Sequence, residues 1–522
     1  DIVKNYDMFL NKDKKNNLDG FLLQRDKIED FMKRYQVNLF MDNNGKVKAP
    51  VIREMNPTYH NLFGKMEYVN ELGVLKTDHM KIRPGSLHEA NGGYIIIQAK
   101  DILQSSHAWE GLKRAITTEE IRIENITGLN VISETLRPEP IPLDIKVVIV
   151  GDYYLYQLLF NYDDDFRKLF KIRADFDIEM DKSEENIRKI GSFVAYQCKE
   201  EGLKPFDKEA LAALIEWSSR KAENQNKLTA KFNELVEIIY EADLWADMKK
   251  RDVVTKEDID IAIYKKNYRN NTYEEKLMEL IKEDIIMIDT EGEKIGEING
   301  LSVIDSGQYI FGRPSKITVN TFLGKEGIIN IEREVEQSGS IYDKGVLILG
   351  GYLGERYAKD FPLSLTASIT FEQSYTGIDG DSASSTELYA LLSSLADKPI
   401  KQSIAVTGSV NQKGKIQPIG GVNEKIEGFY KTCKLKGLTG NEGVIIPYQN
   451  IENLMLEDEV IDAVKLGKFK IFGVKTIDEG IEILTGIKAG KINDKGQYEK
   501  GTINYLVQKK LKYYSDASKE YE

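Results

Sequence analysis

The spacing of apolar residues divides the chain into stretches with different secondary-structure signals. Between about residues 49 and 180, β-branched runs such as GGYIIIQAKDIL and IKVVIVGD alternate with the helix-like segment WEGLKRAI. Strand, helix and strand at this spacing predict an α/β layer. Residues 183–266 lose the strand signal and carry apolar positions at helical spacing, and Thr255 opens the last of these helices with a capping-box-like start. This second stretch is therefore predicted to be all-helical.

Strand and turn signals resume at about residue 295, after a charged connector, and alternate with helices to about residue 487. The chain is therefore predicted to be a multidomain protein of the α/β and α+β classes. Its predicted parts are a helical arm at 1–48, an α/β domain at 49–182, a helical subdomain at 183–270, an α+β domain at 271–490 and a charged C-terminal tail at 491–522. No role is assigned to the tail, which is rich in Lys and Tyr.

Composition and charge narrow the classes of partner. The 522 residues include 72 Lys and Arg against 84 Asp and Glu, and this net charge of −12 disfavours a protein that tracks a phosphate backbone. No nucleic-acid partner is expected. No apolar run approaches the length of about 18 residues needed to cross a bilayer, so no membrane partner is expected either. The widely separated Cys198 and Cys433 indicate free thiols in a reducing compartment, with the cytoplasm as the expected location.

A candidate nucleophile stands where a turn enters a helix. In the stretch FEQSYTGIDGDSASSTELYALLSSLADKP, four leucines between residues 388 and 395 fall at helical spacing, and Ser382 lies at the N-terminus of that helix. Unpaired backbone N–H groups and the positive end of the helix dipole are suited there to stabilise an oxyanion. Taken in isolation, a helix cap is the more ordinary role for such a serine.

A lysine further along the chain is a candidate base. All four histidines lie between residues 60 and 107, so catalysis by the C-terminal half alone needs a base other than imidazole. A strand, SIAVTGSV, and a turn, NQKGK, lead into QPIGGVNEKIEGFYK, where a Gly-Gly pair opens a second helix that carries Lys425. Facing Ser382 in a closed site, this lysine could act as a general base if burial lowered its pKa from about 10.4 by roughly 3 units, on the order of 4 kcal/mol.

This part of the sequence resembles the Lon protease family. GIDGDSAS is similar to the nucleophile motif of that family, and TGSVNQKGKIQPIGGVNEKIEG is similar to the block that carries its catalytic lysine. Ser382 and Lys425 lie 43 residues apart, the interval that the resemblance requires of a Ser–Lys dyad. The similarity runs from INGLSV at 298 to LTG at 484–486. It implies a Lon-type α+β protease domain in which Ser382 is the nucleophile and Lys425 is the base that takes its proton.

Two neighbouring positions take roles from the same resemblance, and a third departs from it. Thr407, in VTGSV, matches the threonine that hydrogen-bonds the lysine, and an ordinary β-strand residue is the alternative. Asp379, in IDGD, matches the acidic residue that the family associates with opening and closing of the site; a turn-forming Asp that satisfies local N–H groups is equally consistent. Asp381 stands where bacterial members of the family usually carry proline, which leaves the branch of the family open.

The first half, roughly residues 50–265, resembles a divergent AAA+ module with its helical small subdomain. Nucleotide hydrolysis needs a G-x-x-x-x-G-K-[ST] loop and a strand-end carboxylate that holds Mg²⁺. None of the Gly-Lys pairs is followed by Ser or Thr, and Gln98 and Ala99 stand where the acid should be. Because an amide cannot replace a carboxylate on this hard cation, we expect no cofactor, neither ATP nor Mg²⁺, and no metal site. The alternative is an ATP-dependent unfoldase-protease whose phosphate loop lies upstream of Asp1.

The resemblance also implies an assembly, a homohexameric ring that hydrolyses peptide bonds in unfolded polypeptides. Tyr59, Phe63 and Tyr68 lie in NPTYHNLFGKMEYVNELG, where ring-forming relatives carry a loop that lines the axial pore, and they are candidates to grip unfolded segments. Packing in the core is the alternative for these aromatic side chains. Without ATP, such a ring should leave tightly folded proteins intact. A non-catalytic ring that only binds proteins is the remaining rival.

Overall fold

The computed structural model of the protein describes residues 3–4, 6, 31–42, 44–45, 47–71, 74–124, 136–375, 377–493 and 497–520. These residues belong to two compact units, Asp1–Asp175 and Phe176–Glu522. Most of the predicted helical arm lies outside the described residues. In the part of the chain that is described, no helix is both long enough and apolar enough to span a bilayer.

A parallel three-stranded sheet is the centre of the N-terminal unit. The strands of this unit are β1 Val51–Glu54, β2 Lys65–Met66, β3 Val69–Glu71, β4 Val74–Lys76, β5 Ile82–Arg83, β6 Tyr94–Gln98, β7 Glu120–Ile121, β8 Ile141–Pro142 and β9 Lys146–Val150. The helices are α1 Tyr59–Phe63, α2 Ser86–Glu89, α3 Ala99–Leu103, α4 Ser106–Thr118, α5 Tyr153–Tyr162 and α6 Asp164–Leu169. The sheet has the order β1–β6–β9, and Ile95 and Ile97 of β6 are fully buried. This confirms the predicted α/β layer.

Helices form the first part of the C-terminal unit. They are α7 Glu184–Glu201, α8 Lys208–Lys221, α9 Phe232–Met248, α10 Lys256–Asn270 and α11 Thr272–Lys282. The apolar faces of α7 to α10 share one core, in which Leu214, Ile238 and Ile259 are fully buried. The capping box predicted at Thr255 is present, with Asp258 as its second member.

The prediction that this segment is entirely helical is wrong at one place. Lys227–Thr229 forms strand β11, which pairs antiparallel with β10, Glu179–Asp181. The Lys182 amide donates to the Asn226 carbonyl oxygen and the Ala230 amide donates to the Ile178 carbonyl oxygen, each at 2.8 Å, so the backbone pairing continues at both ends of this strand pair. Helix α9 therefore begins at Phe232, after the strand, instead of including it.

A seven-stranded mixed sheet is the centre of the rest of the unit. Its strands and the short ones beside it are β12 Glu293–Lys294, β13 Glu297–Asp305, β14 Ile310–Leu323, β15 Gly327–Asn330, β16 Leu365–Phe371, β17 Ile400–Lys401, β18 Ile404–Val406, β19 Ser409–Val410, β20 Ile416–Gln417, β21 Gly443–Pro447 and β22 Lys470–Val474. The helices are α12 Ile331–Glu334, α13 Ser340–Tyr357, α14 Ser384–Ala396, α15 Val422–Lys436, α16 Asp458–Lys465, α17 Ile477–Thr485 and α18 Ile503–Glu520. The strand order is β15–β16–β14–β13–β18–β21–β22.

The connections of this sheet explain where two of its helices lie. Strands β13 and β14 form an antiparallel hairpin, and β18, β21 and β22 run parallel to β13. Helix α14 precedes β18 and helix α15 precedes β21, and both contact the β13–β14 hairpin. The fold is therefore the predicted α/β and α+β combination. The domain boundaries stay a prediction.

The C-terminal tail predicted at 491–522 is corrected by the structure. Helix α18 buries Ile503, Val507, Leu511 and Tyr514 in the same core as the seven-stranded sheet. These residues recur at helical spacing, so they form one apolar face among the lysines. The many charged residues of the tail hid this face in the sequence. The helix is part of the fold around the sheet and not a charged extension.

Candidate active site

Ser382 lies in the turn that leads into α14. Its carbonyl oxygen accepts a hydrogen bond of 2.8 Å from the Gly408 amide, just after β18. The Ser384 hydroxyl donates to the Asp381 carbonyl at 2.9 Å and accepts from the Val410 amide at 3.1 Å. These bonds fix the turn between the end of β18 and the start of β19. The Ser382 side chain is half-buried.

Lys425 lies in the first turn of α15. This helix starts after Gly421, whose φ of 65° is a conformation that glycine adopts without strain. The Lys425 side chain is almost fully buried, at 2% exposed, and its Nζ donates to the Ser382 Oγ at 3.0 Å. The fold therefore brings the two residues of the resembled dyad into hydrogen-bond contact.

The surroundings of Lys425 set its proton affinity. Burial lowers the pKa of Lys425 to about 8, while the nearby carboxylates of Asp381 and Glu424 act to raise it. At a pKa of about 8, roughly a tenth of the amine is neutral at pH 7. This lowering of the pKa has the direction that a lysine base requires. The Asp381 carboxylate also accepts from the Ser409 hydroxyl at 2.7 Å, which holds it beside the site.

The start of α14 offers donors for an oxyanion. Among the described residues, no carbonyl oxygen accepts a hydrogen bond from the Ser382 or Ala383 amide. Both amides precede a helix of 13 residues, so the positive end of its dipole lies at the same place. Donors with this orientation stabilise the negative oxygen of a tetrahedral intermediate in acyl transfer.

Thr407 lies beside the dyad but has a different partner from the one that the resemblance implied. Its hydroxyl donates to the Ser382 carbonyl oxygen, at a long 3.4 Å, and the residue is 1% exposed. Among the described residues, no hydrogen bond joins Thr407 to Lys425, whose amine donates to the Ser382 hydroxyl, and the role of Thr407 toward the lysine stays a prediction. In this arrangement Thr407 helps to fix the backbone of the nucleophile.

Asp379 caps the start of helix α13. Its Oδ1 accepts from the amides of Gly380, Ile341 and Tyr342 at 2.8, 3.2 and 3.2 Å. These hydrogen bonds, that of Gly380 first, hold the pKa of Asp379 below its usual range. Of the two roles weighed for this residue, the local satisfaction of N–H groups matches these contacts. A role in opening and closing of the site stays a prediction.

A buried acid on the serine helix was missed by sequence reasoning. Burial raises the pKa of Glu387 to about 8, and its Oε1 accepts from the Tyr342 hydroxyl at 2.5 Å. The same hydroxyl accepts from the Asn330 side chain at 2.5 Å. Since the Tyr342 amide also donates to Asp379, one tyrosine connects the serine helix to the Asp379 turn. The sequence feature that could have indicated its burial is the position of this acid, directly beside the leucines on the apolar face of the helix.

In the N-terminal unit, two of the three aromatic pore candidates belong to the core. Tyr59 and Phe63 are 5% and 3% exposed, and their rings stack with centroids 4.5 Å apart. The expectation that they grip a substrate is wrong, because rings buried in the core cannot reach one. Tyr68 is half-buried, in the short link between β2 and β3. For Tyr68 the pore role stays a prediction.

The nucleotide chemistry implied by an AAA-like fold can be tested at the end of strand β6. Gln98 is the last residue of β6, and Ala99 is the first residue of α3. An amide and a methyl group therefore occupy the place where a carboxylate would hold Mg²⁺. These residues do not fit a magnesium–nucleotide complex.

Comparison with known families matches three parts of the chain. The family described as LonB-like, AAA domain matches residues 47–177, and the archaeal LonB, AAA+ ATPase LID domain matches residues 205–269. The Lon protease (S16) C-terminal proteolytic domain matches residues 366–486. The last match contains Ser382 and Lys425. Fold and matches together define an AAA-like module joined to a peptidase domain of the S16 type.

Comparison with whole proteins indicates the same family. A putative Lon protease homolog of Escherichia coli is 33% identical over 416 residues, which cover 78% of this chain and 69% of the relative. A putative Lon protease homolog of Haemophilus influenzae is 31% identical over 85% of this chain and 73% of its own length. The archaeal Lon protease of Archaeoglobus fulgidus is 28% identical over 85% of this chain and 69% of its own length. The chain belongs to the Lon protease family, and its AAA-like part is of the LonB-like branch.

Proposed function

We propose that the protein is a serine endopeptidase that hydrolyses peptide bonds in unfolded polypeptides with the dyad Ser382 and Lys425, and that it does so without hydrolysing ATP. The observation that supports the dyad is the 3.0 Å contact between the Lys425 Nζ and the Ser382 Oγ. A buried amine with a lowered pKa, in contact with a hydroxyl at a helix N-terminus, meets the needs of nucleophilic catalysis without histidine.

The proposed reaction has two halves. The neutral Lys425 amine accepts the Ser382 hydroxyl proton while the serine oxygen attacks the scissile carbonyl carbon. The Ser382 and Ala383 amides hold the oxyanion. The C–N bond then breaks, the lysine ammonium gives its proton to the departing amine, and the acyl group stays esterified to the serine. A water molecule that loses a proton to Lys425 attacks this ester, and the acid product leaves as the serine recovers its proton.

The absence of a strand-end acid at Gln98 supports the ATP-independent part of the proposal. The AAA-like fold supports assembly as a homohexameric ring, in which Tyr68 is the remaining candidate for contact with a polypeptide in the pore. Restricted entry would admit flexible segments and exclude tightly folded proteins. The cytoplasm remains the proposed location, in keeping with the free thiols of Cys198 and Cys433. Analytical ultracentrifugation of the full chain tests the proposed hexamer.

The test of this function compares an unfolded substrate, casein, with a tightly folded protein, in EDTA without nucleotide and again with Mg-ATP. We expect casein to be degraded equally in both conditions and the folded protein to survive both. Strict dependence on ATP would favour the ATP-driven unfoldase-protease. Ser382→Ala should abolish degradation, while Ser306→Ala, an exposed serine in the turn after β13, should not. Unchanged degradation by Ser382→Ala would rule out the proposed nucleophile.

A further inference from the structure

One arginine joins the helical subdomain to the helix that carries Lys425. Arg220, in the last turn of α8, donates from its two terminal nitrogens to both carboxylate oxygens of Glu427, at 2.7 Å each. The same guanidinium donates to the Met455 carbonyl oxygen at 2.7 Å. Glu427 lies on α15, two residues after Lys425, and is 4% exposed. This paired geometry is the strongest form of an ion pair.

A backbone amide also donates a hydrogen bond to Glu427. The Glu457 amide donates to the Glu427 Oε1 at 2.8 Å, so this carboxylate accepts three hydrogen bonds, two of them from Arg220. A truncated partner would therefore leave a buried charge without compensation. Removal of one partner of a buried ion pair is strongly destabilising for this reason.

The junction extends along the turn that follows α8. The Gln225 side chain donates to the carbonyl oxygens of Ile451 and Leu454, at 3.2 and 3.0 Å. The Asn453 side chain donates to the Glu223 carbonyl oxygen at 2.8 Å. These contacts place the end of α8 against the segment that also touches the start of α15. Arg220 is thus the ionic member of a continuous surface between the helical subdomain and the lysine helix.

Charge makes the guanidinium important for the position of α15. Glu424 and Glu427 both lie on this helix, and Glu457 faces them, so three carboxylates surround Arg220. The Glu424 Oε2 is buried and has no hydrogen-bond partner among the described residues. Lys431 is another cation at this surface, and it is engaged by Glu274 at 2.9 Å. Without Arg220 these carboxylates would repel one another, and two of the three lie on α15.

A small movement of α15 is enough to break the dyad. Lys425 lies about 3 Å from Glu427 along the helix axis, since each residue adds about 1.5 Å. The contact of 3.0 Å between Lys425 and Ser382 ceases to be a hydrogen bond when it lengthens by roughly half an ångström. Misplacement of a catalytic group by about 1 Å can lower a rate about a hundred-fold.

We infer that Arg220 is a positioning residue for the reaction of Ser382 and Lys425: by holding Glu427, it keeps the lysine helix at the depth where the amine contacts the hydroxyl. The helical subdomain thereby controls the peptidase step through one ion pair. This inference rests on the proposed function, and its test is arranged so that the two can fail separately.

The experiment measures kcat and KM of the full chain on an unstructured fluorogenic peptide. The concentration of active sites is titrated with a fluorophosphonate, and kcat is expressed per active site. Arg220→Met removes the charge and keeps the stem. The matched control is Arg269→Met, which breaks the paired contact of Arg269 with Glu241, at 2.7 and 2.6 Å, between α10 and α9. We expect Arg220→Met to lower kcat at least about ten-fold with KM within about two-fold, and the control to keep both values.

A second variant keeps the test decisive if Arg220→Met folds poorly. Arg220→Lys retains the charge but cannot hold both carboxylate oxygens, so its kcat should fall at least about three-fold at unchanged KM. The inference would be overturned if either Arg220 variant had the same kcat and KM as Arg269→Met. It would also be overturned if an Arg220 variant changed KM alone. Ser382→Ala separates the two proposals. If it retains peptide hydrolysis the proposed function fails, and if it is inactive while the Arg220 variants match the control, only this inference fails.

Discussion

The backbone of Gly428, on the lysine helix α15, crosses the backbone of Gly312, on strand β14, without room for a side chain between them. A Cβ on Gly428 would overlap the Gly312 carbonyl oxygen, and a Cβ on Gly312 would overlap the Glu424 carbonyl oxygen. Two glycines therefore set the distance between this helix and the sheet. Together with the Arg220–Glu427 ion pair, that distance determines the depth at which Lys425 enters the site.

Substitution of Gly428 by alanine should push α15 away from the sheet. We expect Gly428→Ala to lower casein degradation at least about ten-fold and to lower the melting temperature, since overpacking of this kind costs roughly 1–3 kcal/mol. The control is Gly350→Ala, on α13, where an added Cβ meets no atom within 4 Å. That variant should keep its activity, and its melting temperature should not fall, since alanine favours a helix interior over glycine. Normal activity and melting temperature in Gly428→Ala would show that the close approach does not position the lysine.

The pH dependence of the reaction should follow the proton of Lys425. The base must be neutral to act, and its pKa is about 8, so kcat/KM should rise with pH to a plateau through a midpoint near 8. The Asp381 carboxylate raises this pKa, so Asp381→Asn should move the midpoint to lower pH while preserving the shape of the side chain. Rates on a fluorogenic peptide between about pH 6 and about 9.5 measure this shift. A midpoint that stays in place or rises would contradict the assignment of Lys425 as base.

Glu387 should make the stability of the protein depend on pH. Its pKa is about 8 in the folded protein against a usual 4.5, so between these values the folded state holds a proton that the unfolded state has released. The stability that the neutral acid contributes is complete below about pH 4.5 and is lost as the pH rises to about 8, at up to about 1.4 kcal/mol per unit.

Glu387→Gln removes this titration and keeps an acceptor for the Tyr342 hydroxyl. The melting temperature of this variant, relative to the unsubstituted protein, should therefore rise progressively between about pH 5.5 and about 8. The control is Glu355→Gln, an exposed acid paired with Lys413, whose relative melting temperature should stay level in that range. If the difference in melting temperature between Glu387→Gln and the unsubstituted protein also stayed constant over this pH range, Glu387 would be ionised in the folded protein at neutral pH.

The elements that the sequence predicts best are those with local signals. The leucine spacing after residue 382 fixes the helix, and the Gly-Gly pair before Val422 fixes the start of the next one, so the geometry of both motifs follows from short segments. Ser382 and Lys425 are 43 residues apart in the sequence. Each lies near the start of its helix, and their side chains are in hydrogen-bond contact. The pairing itself was expected from the resemblance to the Lon family, since local signals do not show which helix starts meet in space.

Features that depend on distant parts of the chain were not predicted from the pattern. Arg220 and Glu427 are 207 residues apart, and nothing near either one indicates the other. Tyr59 and Phe63 stand beside polar residues in the sequence, yet the fold buries them against Gly111.

Labelling with a fluorophosphonate tests the dyad most directly, because the reagent reacts only with an activated serine and does not depend on passage of a substrate through a ring. The full chain is labelled without nucleotide, and the modified peptide is identified by mass spectrometry. We predict modification of Ser382 in the unsubstituted protein, none in Ser382→Ala, and at least about a hundred-fold slower labelling in Lys425→Arg, whose guanidinium stays protonated. Labelling of a different residue, or equally fast labelling of Ser382 in Lys425→Arg, would contradict the proposed mechanism.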